Sequence, residues 1–209
     1  MILVDMNQIS LASVMMHLNI TKRDSVDTGI VRHMILNSLR MYRQSYFKEF
    51  GEFVICYDSK NYWRREYFPE YKAGRRKSRE TSSHDWNDIF ECLNAIKSEI
   101  RENFPYKVLE VYGAEADDII AALCGELEFD NGKTLILSGD KDFIQLHRFK
   151  NVKQYSPITK KFINGEDPTE YLYQHILKGD SSDGVPNVLS PDNTFVDGLR
   201  QRPLSRKKI

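Results

Sequence analysis

"TLILSGDKDF", residues 134–143, decides how this chain is read. Leu135, Ile136 and Leu137 form a run suited only to burial, and one turn later the chain presents Asp140 and Asp142 around Lys141. An unbroken apolar run of this length is the mark of a strand covered on both faces, as in parallel sheets. Such sheets place their ligands beyond the carboxyl ends of the strands. The same device recurs twice. Ile2-Leu3-Val4 stops at Asp5, and "FVICYD" stops at Asp58. Three strands therefore send carboxylates to one edge.

Helical patterns separate the strands. "QISLASVMMHL" reads as a helix, and residues 28–49 as a longer one, with Val31, Ile35, Leu39, Tyr42 and Tyr46 on one face. "SSHDWNDIFECLNAIKSEI" opens on capping residues and turns amphipathic. "KVLEVY" is a short strand, "EADDIIAALCGEL" a helix, and "NVKQYS" is expected at the edge of the sheet. "DPTEYLYQHILKG" is a helix with Pro168 near its start and Gly179 at its end. Strand and helix alternate, which predicts an α/β fold: a mostly parallel twisted sheet flanked by helices.

Composition agrees with a soluble globular domain, 41% apolar and 29% charged over 209 residues. No apolar run approaches the roughly 20 residues a bilayer demands, and "MILVDMNQ" lacks the features of a signal peptide. Cys56, Cys92 and Cys124 are scattered, with no Cys-x-x-Cys pair, which points to the cytoplasm and away from disulfides or zinc. The formal charge is zero, 30 basic against 30 acidic, but the charges are segregated. Residues 64–79, "RREYFPEYKAGRRKSR", hold seven Lys or Arg against two Glu, and residues 200–209 hold five basic residues and no acid.

Two further acidic clusters join the strand ends: "AEADD", with Glu115, Asp117 and Asp118, and "GDSSD", with Asp180 and Asp183. Each alone has an ordinary explanation. Acids favour a helix N-terminus, and "GDSSDG" is good turn sequence. Glu115 and Asp118 can share a helix face, while Asp117 points elsewhere in an ideal helix. Together they are harder to leave unneutralised, since two carboxylates about 4 Å apart repel by roughly 4 kcal/mol at an effective dielectric near 20. The donors are all hard oxygens, which selects Mg²⁺, with Mn²⁺ as substitute, over zinc. Nine acids exceed the needs of one octahedral ion, so two ions are expected, a pairing suited to phosphodiester hydrolysis.

The basic stretch from Asn61 to Arg79 has no clean period and reads as a loop or irregular helical arm. Tyr62, Trp63, Tyr67, Phe68 and Tyr71 are interleaved with its cations. Bases stack on such rings while Lys and Arg hold phosphates. Simple core packing is the alternative for some of them.

"LVDMNQ", "YDSKNYWRREYFPEYKAGRRK", "YGAEADDIIA", "LSGDKDFIQL" and "ILKGDSSDGVPNV" stand in the order and spacing of the flap-endonuclease (5′-nuclease) family, which the chain resembles from residue 1 to about 190. The resemblance implies a PIN-like catalytic core over 1–167 with an arch at about 60–82, then a partial helix-three-turn-helix over 168–209. It implies removal of RNA primers and adjoining DNA from lagging-strand fragments with two divalent ions, expected to be Mg²⁺; a monomer is the default expectation. Asp5, Asp58, Glu115, Asp117, Asp118, Asp140 and Asp142 would surround the tighter ion, and Asp180 and Asp183 the weaker. Lys72 and Arg75 match the family's arch cations and would steady the scissile phosphate. Trp63, Arg64, Arg65, Tyr71, Arg76 and Lys77 are the expected strand contacts. RNA·DNA hybrid and flapped or nicked duplex would be substrates, with a single-strand-binding protein or sliding clamp as protein partners. In "LSPDNTF", Pro191 and Asp192 stand where the family has glycines, so no monovalent-ion site is expected, and the sequence stops at "SRKKI" where the family continues with further helices, so weaker duplex binding is expected. Two rivals remain: a binding module without catalysis, and a PIN-like ribonuclease.

Overall fold

The structure, a computed structural model, describes residues 1–22, 24–129 and 132–204. The end of the basic tail, residues 205–209, lies outside them. The described chain forms two compact units. The first comprises residues 1–61 and 84–165; the second comprises residues 62–83 and 166 onward.

The first unit is built on six strands: β1 (Ile2–Asp5), β2 (Phe53–Cys56), β3 (Lys107–Leu109), β4 (Thr134–Leu137), β5 (Val152–Ser156) and β6 (Lys161–Ile163). Their order is β3-β2-β1-β4-β5-β6. All neighbours are parallel except β5 and β6, which are antiparallel. The mostly parallel α/β sheet expected from the apolar runs is present. "NVKQYS" is not the edge, however. β5 pairs with β4 on one side and β6 on the other. β6 is three residues long and only partly buried, so it carries no burial signal in the sequence.

Four α-helices and a 3-10 helix cover this sheet: α1 (Met6–Thr21), α2 (Thr28–Phe50), α5 (Trp86–Asn103), α6 (Ala116–Phe129) and the 3-10 turns of Lys141–Arg148. Alternation along the strands splits the core between the two faces. Ile2, Val4, Phe53, Ile55, Leu135 and Leu137 pack with Val31, Ile35 and Leu39 of α2 and Ile89, Ile96 and Ile100 of α5. Leu3, Val54, Cys56 and Ile136 pack with Ile119, Ile120 and Cys124 of α6 and with Phe143 and Leu146. Each aliphatic side chain so buried contributes about 1.5–3 kcal/mol. Asp27 and Asp85 start α2 and α5 by accepting from N–H groups of the first turn. No helix among the described residues is long and apolar enough to cross a membrane.

The second unit contains α3 (Arg64–Tyr67), α4 (Ala73–Glu80) and α7 (Pro168–Lys178). Asp167 caps α7 by accepting from Thr169 and Glu170 N–H, with Pro168 in the first turn. Beyond α7, Asp180 and Val185 form an isolated antiparallel bridge, and Val188 N–H donates to Leu177 O at 3.1 Å. Residues 192–198 are turns, with Pro191 and Asp192 exposed.

Candidate metal centre and cationic arm

Register puts the three strand ends level. Asp5 lies beside Cys56 across β1 and β2, Cys56 beside Leu109, and Val4 beside Leu137. Asp5, Asp58 and the turn carrying Asp140 therefore leave the sheet at its carboxyl edge. Asp5 both ends β1 and caps α1, accepting from Gln8 N–H at 3.2 Å. Its other oxygen accepts from Ser138 Oγ at 2.9 Å, and that hydroxyl oxygen accepts from Asp140 N–H at 3.1 Å.

The turn after β4 is held from several directions. Gln8 Oε1 accepts from Gly139 N–H at 2.6 Å. The fully buried Gln154 of β5 donates to the carbonyls of Ser138 and Asp140. Asp140 in turn caps the 3-10 helix, accepting from Asp142 N–H at 2.9 Å. Asp58 accepts from Ala116 N–H at 2.7 Å, the first residue of α6, which brings the "AEADD" turn to the same place. Asp118 accepts from Glu115 N–H at 2.9 Å. Glu115 is buried, and Asp117 sits in the first turn of α6.

Burial raises the Asp5 pKa from 3.8 to about 6, and the neighbouring charges of Asp58 and Asp140 push the same way against hydrogen bonds from Ser138 and Gln8. A carboxyl that holds its proton more tightly when folded loses stability as pH rises from about 4 to about 6, and the loss persists above. The shift corresponds to about 3 kcal/mol. In EDTA, Asp5→Asn is therefore expected to raise unfolding free energy at pH 8 by about 2–3 kcal/mol and to change little at pH 4. Urea melts at the two pH values test this. Equal effects at both would show that burial does not raise the Asp5 pKa.

The second unit gathers the expected arm residues and both "GDSSD" acids. Asp180 Oδ1 accepts from Ser182 N–H at 2.7 Å, from Ser182 Oγ at 2.6 Å and from Asp183 N–H at 3.2 Å. Burial acts to raise its pKa, and these hydrogen bonds outweigh it, leaving the carboxyl below its usual range. His175 Nε2 lies 3.8 Å from Asp180 Oδ2. Asp183 Oδ1 accepts from Arg75 Nη2 at 2.5 Å, while Oδ2 accepts from Tyr71 Oη at 3.0 Å and sits 3.7 Å from Lys72 Nζ. Lys72 Nζ also lies over the rings of Tyr71 and Tyr62, 4.8 and 5.6 Å from their centroids.

The arm's aromatics divide accordingly. Tyr71, expected as a strand contact, is buried, whereas Trp63 is 45% and Tyr67 82% exposed. Arg64 lies over Trp63, Arg65 lies over Tyr62, and Arg76 pairs with Glu80 one helical turn on. Lys77 is exposed on α4. The sequence reading did not find Gln8, Ser138, Gln154 or His175. Only Ser138, directly after a buried strand, carried a positional signal.

Acids on the ends of adjacent parallel strands define a recognisable class. The family described as 5′-3′ exonuclease, N-terminal resolvase-like domain, matches residues 1–173, and the chain belongs to that family. It is 36% identical over 191 residues to the ribonuclease H of Enterobacteria phage T4, covering 89% of this chain and 62% of that one. It is 30% identical over 178 residues to the 5′-3′ exonuclease of Buchnera aphidicola from Schizaphis graminum, covering 81% of this chain and 58% of that one. The chain thus spans about three fifths of the length of these relatives. Its fold is similar to the bacteriophage T5 D15 flap endonuclease solved with DNA and metal ions, with a TM-score of 0.71 at 19% identity, covering 90% of this chain and 69% of that one.

Proposed function

We propose that this chain is a divalent-metal-dependent 5′-nuclease, hydrolysing phosphodiester bonds near 5′ ends in RNA·DNA hybrids and in flapped or nicked duplex DNA. The observation that carries the reading is the convergence of Asp5, Asp58 and Asp140 from three adjacent strand ends, where burial first and the charges of Asp58 and Asp140 second lift Asp5 to about 6. Such crowding fits a cation, and the donor set is entirely oxygen, which suits Mg²⁺ or Mn²⁺. Asp5, Asp58, Glu115, Asp117, Asp118, Asp140 and Asp142 would hold the first ion, and Asp180 and Asp183 of the "GDSSD" turn would contribute to a second. Bound divalent ions supply Lewis-acid stabilisation of the phosphoryl oxygens and activation of water.

The chain's own residues supply the rest. Ser138, Gln8 and Gln154 fix the carboxylates before substrate arrives, so little reorganisation is left for the reaction. Lys72 and Arg75 oppose the charge that develops on the phosphate. Exposed Trp63 and Tyr67, with Arg64, Arg65, Arg76 and Lys77 alongside, offer stacking faces and phosphate contacts to an unpaired 5′ strand. The proposed setting is primer removal by a monomer in the cytoplasm, alongside a single-strand-binding protein or sliding clamp.

Cleavage of a 5′-flapped duplex and of a primer-like RNA·DNA hybrid, with Mg²⁺ or with EDTA, tests this directly. Short 5′ products that require Mg²⁺ are expected. Retained binding without cleavage at high enzyme concentration would favour a binding module. Cleavage of single-stranded RNA alone would favour a PIN-like ribonuclease.

A further inference from the structure

We infer that His147 and Gln154 act as a positioning pair: together they fasten both ends of the 3-10 helix that carries Asp142, and so fix where Asp140 and Asp142 stand relative to each other. The consequence for cleavage rests on the nuclease reading above; the geometry of the pair does not.

Lys141–Arg148 runs for eight residues as a 3-10 helix. Runs beyond about four residues are uncommon, because the hydrogen bonds of this helix are poorly aligned and side chains three apart eclipse one another. A stretch of this length depends on what it is fastened to. Phe143 and Leu146 sink its inner side into the core shared with α6. Apolar burial is non-directional, so it holds the helix down without setting its register.

Gln154 supplies the direction. It stands on β5 between Val152 and Ser156, and these alternate residues share one face of the strand. Val152 joins the apolar core there. Two positions on, the same face carries a fully buried amide whose donors and acceptor are all engaged. Gln154 Nε2 donates to Ser138 O at 3.0 Å and to Asp140 O at 2.6 Å. Gln154 Oε1 lies 3.0 Å from Nε2 of His147, in the last turn of the 3-10 helix. One side chain thus ties the entry of the helix at Asp140 to its exit at His147.

The role of His147 follows from these partners. Carbonyl oxygens only accept, so the amide edge that meets Ser138 and Asp140 is the NH2 group, and its oxygen is turned to His147. That oxygen also only accepts, so His147 Nε2 carries a hydrogen and donates it. A flipped amide would set oxygen against two carbonyl oxygens and NH2 against an N–H. His147 therefore locks the amide in the one orientation that supports the Asp140 turn. Asp142 lies between the two fastened ends, and a misplacement of about 1 Å in a reacting site can cost about a hundredfold in rate.

NMR of the ¹⁵N-histidine-labelled chain in EDTA at pH 8 reads the pair without metal or nucleic acid. The His147 signals, assigned by their loss in His147→Gln, should show hydrogen on Nε2. A ring with hydrogen on Nδ1 alone would overturn the inference. Amide hydrogen exchange across residues 139–148 should rise by about tenfold in His147→Phe and in Gln154→Leu, the effect of losing a buried hydrogen bond. His147→Gln, which keeps a donor, should recover most of the protection, and exchange in α5 should not change. In Mg²⁺-supported flap cleavage, His147→Phe should lower kcat by about tenfold to a hundredfold with KM unchanged. In the Gln154→Leu background it should have no further effect, since the two residues act through one contact. Unchanged exchange in His147→Phe would overturn the inference, and so would a His147→Gln variant no better protected than His147→Phe. Should Gln154→Leu fail to fold, the ring protonation of the unaltered chain and the His147 variants still decide. Should the unaltered chain cleave no nucleic acid, the nuclease reading fails while the NMR and exchange results still decide the role of the pair.

Discussion

Asp140→Asn is expected to leave the protein folded and to lower Mg²⁺-dependent cleavage by about a thousandfold or more, the effect of several kcal/mol of lost metal stabilisation. The two halves of this expectation have separate physical grounds. Folding survives because the structural work of Asp140 needs only an oxygen and a backbone. Its side chain accepts from Asp142 N–H, its own N–H donates to Ser138, and its carbonyl accepts from Gln154. Asparagine keeps all three contacts and caps helices about as well as aspartate. Removing a charge near Asp5 also relieves repulsion, so the melting temperature should be equal or higher. Activity falls because the substitution removes one of the charges that would neutralise the cation. Thermal melts together with flap cleavage check both halves. An unchanged melt with full activity would remove Asp140 from the ion's surroundings.

Gly179→Ala should have the opposite profile, a large loss of stability from a position with no proposed chemistry. Gly179 ends α7 at φ +66° and ψ −174°, a conformation that is essentially restricted to glycine. A Cβ there would meet the carbonyl oxygens of Val185 and Pro186 at 2.4 Å. Those carbonyls belong to a segment fixed by the Asp180–Val185 bridge and by the hydrogen bond from Val188 to Leu177. Backbone cannot yield as a flexible side chain could. Strain and overpacking together are expected to cost about 3 kcal/mol or more. Denaturant unfolding of the variant, followed by digestion within residues 166–204, should show the second unit failing first. A variant as stable as the parent would mean that the turn rearranges freely.

The sheet and its acids were legible because buried parallel strands are continuous apolar runs, and the first polar residue after each run marks the edge. Ile2–Val4, "FVIC" and "TLIL" needed no partner to be recognised. β6 was not legible. Lys161, Phe162 and Ile163 show neither alternation nor burial, and only pairing with β5 makes them a strand. The 3-10 turns of Lys141–Arg148 were hidden for a similar reason, since their shape comes from the cap at Asp140 and the packing of Phe143 and Leu146. For the site, residue type and motif order brought the acids forward. They could not show that Gln154 supports the Asp140 turn, or that Arg75 reaches an acid 108 residues away. Contacts of that range depend on the fold, and polar side chains that serve it look like any others in sequence.

The sheet order also has a consequence for synthesis. β1 is flanked by β2 and β4, and the N-terminal amine already reaches across to Lys133 O, a separation of 132 residues. At roughly 5–20 residues per second, a ribosome needs on the order of 10 s to make the chain between these partners. Throughout that interval this central strand has one unsatisfied edge and the fully buried Ile2, Leu3 and Val4. Such an edge invites pairing with a neighbouring chain. Nascent chains stopped short of β4 should therefore be the aggregation-prone species, and slow translation upstream of residue 134 should lower the yield of soluble protein.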